Sequence, residues 1–206
     1  MDKGRRARVG IRAALAVAAL ALGASAAPSG GRGGGGGGAV QPPDRNLLSQ
    51  AASVTADFNV GGGTAPNVPY EILAGGAGDF TATPQTSFYV PIFFADDAPP
   101  LSVPNFPGNL KSADATTDYL IDAIDEFAGV NDVVATYIEV DGKVTVLGNP
   151  YTVGVDAPSL ADGGRHYIVS AVFLSPLSPG THTIGIGAVL SDGTQIGPPG
   201  YTVTVK

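Results

Sequence analysis

The chain has 206 residues, no cysteine, no tryptophan and two histidines, and 11 basic against 18 acidic residues give it a net charge of −7. That length suits one domain with tails, and the missing cysteine removes disulfides, thiol catalysis and cysteine-rich metal sites. The acidity repels polyanions, which disfavours nucleic acid and anionic membrane surfaces as partners.

Residues 1–26 read as a secretory signal peptide. Lys3, Arg5, Arg6, Arg8 and Arg12 give a basic start, Ala13 to Leu22 an apolar run, and Ala24-Ser25-Ala26 a small-residue cleavage site. The run is about half the ~20 residues that span a bilayer. The expected location is secreted, periplasmic or cell-envelope, after cleavage near Ala26. Arg5-Arg6 hints at twin-arginine export, but Ala7-Arg8-Val9 does not complete that pattern, so both export routes stay open. The leader holds five basic residues and one acid, Asp2. Its removal leaves 6 basic and 17 acidic residues, a net charge of −11.

Residues 27–45 read as a flexible linker. Gly30 to Gly38 is glycine apart from Arg32, and Pro28, Ser29 and Pro42-Pro43 flank it. No Gly-Lys-Ser/Thr ending is present, so this is not a phosphate-binding loop.

Residues 46–206 read as one β domain. Runs rich in Val, Ile, Thr, Tyr and Phe alternate with Gly, Pro, Asn and Asp. They predict strands near Ser53–Val60, Tyr70–Ala74, Ser87–Ala95, Val133–Val140, Lys143–Leu147, Tyr151–Asp156, His166–Ser175, Thr181–Leu190 and Tyr201–Val205. Asp141-Gly142 is a two-residue hairpin turn, because both positions need positive φ. Asp192-Gly193 is a second turn. Both parities of His166–Ser175 are mostly apolar, which places that strand in the middle of a covered sheet.

One helix is expected near 114–128, capped by Asp114 and ended by Gly129, with Leu120, Ile121, Ile124 and Phe127 as its apolar stripe. The fold class is therefore mainly β: an antiparallel β-sandwich, Ig-like or jelly-roll-like, with one inserted helix.

The segment from Val172 to Ile184 contains Pro176-Leu177-Ser178-Pro179-Gly180-Thr181-His182-Thr183-Ile184. It resembles the C-terminal signature of a group of secreted bacterial β-sandwich proteins of unknown function. Val90-Pro91-Ile92-Phe93-Phe94-Ala95-Asp96 resembles that group's proline-containing central strand. Thr136 to Lys143 resembles its strand and Asp-Gly turn. The likeness covers about half the chain, from Ser87 to Ile186, and the chain departs from it in lacking cysteine. The resemblance implies an exported β-sandwich and no particular activity.

Candidate chemistry is sparse. His166 and His182 are the available bases, and no Gly-x-Ser-x-Gly elbow follows the leader. His182 shares parity with Ile184 and Ile186, which points it inward as a hydrogen-bonded structural histidine. His166 is expected solvated at a strand start. A zinc site wants three or four His or Cys ligands, against two His and no Cys here, and no spacing supports a mixed His/carboxylate site. Calcium needs only oxygens, and Asp96 and Asp97 with Asp141, or with Asp156, are the candidate ligands. Seventeen acids also make some facing carboxylate pair inevitable, so a glycosidase reading gains nothing from proximity alone.

The leading expectation is an exported, non-enzymatic β-sandwich module, binding or structural, monomeric or weakly associating and without a cofactor. A glycan or envelope component is its expected partner. Two alternatives stand beside it: a secreted hydrolase acting on glycans or peptides through a carboxylate pair, and a calcium-dependent adhesion module.

Overall fold

The computed structural model describes residues 40–98, 105–158 and 160–206. The expected leader and most of the expected linker lie outside the described residues. The described chain runs α1 (Arg45–Asn59), β1 (Glu71–Ile72), β2 (Ala77–Ala82), β3 (Phe88–Asp96), α2 (Ala113–Ala128), β4 (Val133–Val140) and β5 (Lys143–Leu147). It continues through a 3-10 turn (Asn149–Tyr151), β6 (Thr152–Asp156), β7 (His166–Leu174), β8 (Gly180–Leu190), β9 (Gln195–Ile196) and β10 (Gly200–Val205).

α1 corrects the strand expected at Ser53–Val60. The β-branched residues there suit a strand, but Leu48, Ala51, Ala52, Thr55, Ala56 and Asn59 are buried at helical spacing. Asp44 starts the helix, its carboxylate accepting from the Asn46 and Leu47 N–H groups. The linker expected at 27–45 is also shorter at its end, because Val40 bridges to Leu174 and the Gln41 N–H donates to the Phe173 carbonyl.

α2 is the expected helix with a different cap. Ser112, not Asp114, accepts from the Ala115 N–H, while Asp114 Oδ1 accepts from Asn149 Nδ2. Gly129 ends the helix at φ 69°, as expected for a left-handed cap. Tyr119, Leu120, Ala123 and Ile124 are buried, whereas Phe127 at the end of the expected stripe is exposed.

The fold is mainly β, with two mixed sheets. The smaller has the order β1-β3-β7-β6, and the larger β2-β10-β8-β4-β5, with β9 on β8. The expectation of purely antiparallel pairing fails at two places. β1 runs parallel to β3, and β2 runs parallel to β10. Two helices, rather than one, complete the architecture. β2 and β9 are the strands missing from the expected set.

One core draws on both sheets and α2. β7 sends Ile168, Val172 and Leu174 into it, β3 sends Phe88 and Val90, and the larger sheet sends Ile138, Ile184, Ile186 and Val203. The opposite face of the smaller sheet, with Tyr89, Tyr167, Val169 and Phe173, is covered by Leu48, Ala51, Ala52 and Ala56 of α1. β7 is thus apolar on both faces and central in its sheet, as its two parities predicted. The alanines of α1 bring the helix backbone close to the aromatic face.

β3 carries a register shift between Pro91 and Phe93 against β7. One extra residue inverts which parity faces inward. Before it, Phe88 and Val90 face the shared core. After it, Phe93 and Ala95 do, and Phe94 turns to the α1 side.

Candidate functional site

The two histidines occupy matching arrangements. Asp141 begins the β4–β5 turn at φ 51°, followed by Gly142 at φ 81°. Its Oδ1 accepts from the Thr183 N–H at 2.9 Å, and its Oδ2 lies 2.7 Å from His182 Nδ1. His182 Nε2 lies 2.8 Å from the Ser178 carbonyl oxygen. Both partners are acceptors, so both ring nitrogens donate, which describes the protonated ring. Burial opposes that charge, but the bonds to Asp141 and Ser178 outweigh it and raise the His182 pKa. The side chain is only 8% exposed, and its ring nitrogens are taken up by the Asp141 carboxylate and the Ser178 carbonyl.

Asp97 does the same at the start of β7. Its Oδ1 accepts from the Arg165 and His166 N–H groups, and its Oδ2 lies 2.5 Å from His166 Nδ1. Desolvation works against the Asp97 charge, and these bonds more than offset it, lowering its pKa. His166 Nε2 stands 3.7 Å from Asp156 Oδ1, and the ring lies against Phe106. The imidazole is 43% exposed, in keeping with its expected place at a strand start.

The three calcium candidates do not converge. Asp97 sits at the start of β7, and Asp141 at the start of β8, which follows the far end of β7. A nine-residue strand separates them by on the order of 25 Å. Among the described residues no group of three or more His, Asp or Glu side chains is placed to hold a metal ion. Asp96 Oδ1 accepts from the Ala98 N–H at 2.8 Å, while its Oδ2 is buried without a described hydrogen-bond partner. Burial, with the nearby charges of Asp162 and Asp97, pushes Asp96 up to about 6.

A cavity of about 390 Å³ lies elsewhere, beside the irregular part of β3. β1 stops at Ile72, and Gly75 and Gly76 turn the chain away at φ 87° and 77°. Past Tyr89, β3 therefore has no described strand along that edge. Pro91, which has no N–H to leave unpaired, occupies this stretch. Pro91, Ile92, Phe93 and Phe94 line the cavity together with the loop Ala74–Gly76. The end of α1 adds Phe58, Asn59 and Gly61, β8 of the larger sheet adds Ile186, and the loop between β9 and β10 adds Pro198.

Asn59 is the one polar side chain among the described lining. Its Nδ2 donates to the Tyr167 hydroxyl at 2.7 Å, and its Oδ1 has no described partner. The loop is held by the Gly76 N–H donating to the Tyr201 hydroxyl at 2.9 Å. Burial pushes that phenol up to about 12, so it stays neutral. Such a lining can enclose an apolar body, and it offers no paired acid and base for chemistry. Sequence reasoning missed this site because its walls come from five separate segments. The Pro91 break in an otherwise apolar strand was the available signal.

No known protein family, curated protein or solved structure matches this chain.

Proposed function

We propose that the chain is an exported, non-enzymatic β-sandwich module that binds a small, mainly apolar molecule in the cavity beside β3. Several features support this reading: the signal-peptide pattern, the resemblance of the Pro176–Ile184 segment to secreted β-sandwich proteins, and the apolar core common to the two sheets. The observation that carries the binding role is the cavity, whose volume falls in the range of about 300–1,000 Å³ typical of small-molecule sites. A glycan would meet one polar side chain there and no tryptophan platform. The geometry therefore favours an apolar ligand over the expected glycan.

Titration with the neutral dye phenylnaphthylamine tests it. The expected result is a saturable rise in fluorescence that Ala74→Phe abolishes while leaving the melting temperature within a few degrees. Absence of a saturable signal, or a signal that the filled variant retains, overturns the reading.

The hydrolase reading keeps one specific point of support, the Asp96 carboxyl, which burial first and the charges of Asp162 and Asp97 second push up to about 6, the range of a general acid. Turnover of a polysaccharide or peptidoglycan substrate that Asp96→Asn abolishes would establish it. The calcium-adhesion reading would have to rest on Asp96 and Asp97 without Asp141.

A further inference from the structure

Among the described residues, and leaving aside the two-residue β9 on β8, the two sheets end in four edge strands, and three of them are blunted. β1 is two residues long. β6 is packed by both α1 and α2. β2 contains Gly78 at φ 154° and the exposed charge of Asp79. β5 differs. It pairs with β4 over all five residues without a register shift, carries no proline, and bears one charge, Lys143, at its first position. No described strand pairs with its outer side. A regular edge of this kind, with its single charge at the first residue, is a template for another strand.

The turn determines which backbone groups that edge presents. In a two-residue hairpin the closing pair, Val140 and Lys143, exchanges both hydrogen bonds. Bonded pairs then alternate, so Ile138–Thr145 and Thr136–Leu147 are bonded as well. The N–H and C=O groups of Val144 and Val146 therefore point outward. Their side chains are exposed, at 37% and 58%.

These groups are self-complementary. An antiparallel partner centred on Thr145 sets Val144 opposite Val146 of the other copy, and Val146 opposite its Val144. Each is a bonded pair, giving four hydrogen bonds in all and two apolar cross-strand contacts on one face. Lys143 then faces Leu147, so no like charges meet. We propose that β5 pairs in this register with β5 of a second copy of the chain, joining two larger sheets into one.

The chain has no cysteine, so a single introduced thiol reports the register. Across the non-bonded Thr145 pair the Cα atoms would stand about 4.5 Å apart, inside the range a disulfide spans. Thr145→Cys should oxidise to a covalent dimer at least tenfold faster than Val134→Cys, an exposed control on β4. Adding Val146→Lys to Thr145→Cys should abolish the cross-link with the circular dichroism spectrum unchanged. Sedimentation of the wild type should show a dimer that dissociates on dilution. A wild-type monomer at all concentrations, cross-linking no faster than the control, or a cross-link that survives Val146→Lys overturns the proposal.

Discussion

The Thr136 hydroxyl of the larger sheet and the Ser170 hydroxyl of the smaller one lie 2.7 Å apart, sharing a hydrogen bond across the apolar layer between the sheets. They are 3% and 1% exposed, so neither has water as an alternative partner. This pair fixes the lateral position of β4 over β7 in a way that aliphatic contacts do not.

Removing one hydroxyl strands the other. Thr136→Val and Ser170→Ala should each cost about 1–3 kcal/mol, the desolvation cost of an unpaired buried polar group. The double variant should cost less than the two single losses combined, because nothing is left unsatisfied. Urea denaturation of the four proteins measures the coupling, and strict additivity would show that the bond contributes nothing.

His182 should make stability depend on pH. Its folded pKa is raised above 6.5, so its contribution is complete below 6.5 and is lost as pH rises through the folded value. His182→Gln should therefore be less stable than wild type by about 1–3 kcal/mol near pH 5. The gap should narrow in alkaline solution, and thermal melts of both proteins across pH provide the check. A constant gap would mean that the Asp141–His182 contact acts through shape alone.

Asp96 should act with the opposite sense. Its carboxyl is pushed from 3.8 up to about 6 by burial first and by Asp162 and Asp97 second, so ionising it destabilises the fold as pH rises through that window. Asp96→Asn keeps an acceptor for the Ala98 N–H and removes the charge. Its melting temperature should exceed wild type by roughly 2–4 °C above pH 6 and match it below 3.8.

Gly154 allows α2 and the loop before it to approach β6. A Cβ there would stand 2.9 Å from Leu110 Cβ and 3.1 Å from Thr116 Cγ2. Gly154→Ala should cost about 1–3 kcal/mol of overpacking strain. The urea midpoint should fall with the slope unchanged.

Much of the sheet framework was legible in local pattern. The bounds of β4 and β5 agree with the expectation because a two-residue Asp-Gly turn locks the register between them. β7 was legible because both of its parities are apolar. α1 was not, because alanine and threonine carry its buried face, and Ser53 to Val60 taken alone has strand composition. β2 was hidden by its Gly-Asp start and its exposure. The parallel pairings could not be read: the partner of β2 lies more than a hundred residues away, and β1, two residues long, carries no pattern that specifies one. Separation along the chain likewise hid the Asp141–His182 and Asp97–His166 contacts, which join residues 41 and 69 positions apart. His182 was correctly placed facing inward, and Asp141 correctly placed in its turn. What holds each of them came only from the assembled strands.

The position of β10 governs when the larger sheet can form. It lies between β2 and β8, and β2 pairs with no other strand among the described residues. Residues 77–82 therefore stay without a partner until residues 200–205 arrive, whereas the β4–β5 hairpin can close within microseconds. Refolding should begin at that hairpin and wait on a loop closure of more than a hundred residues, which places its slow step in the millisecond-to-second range of non-local β topologies.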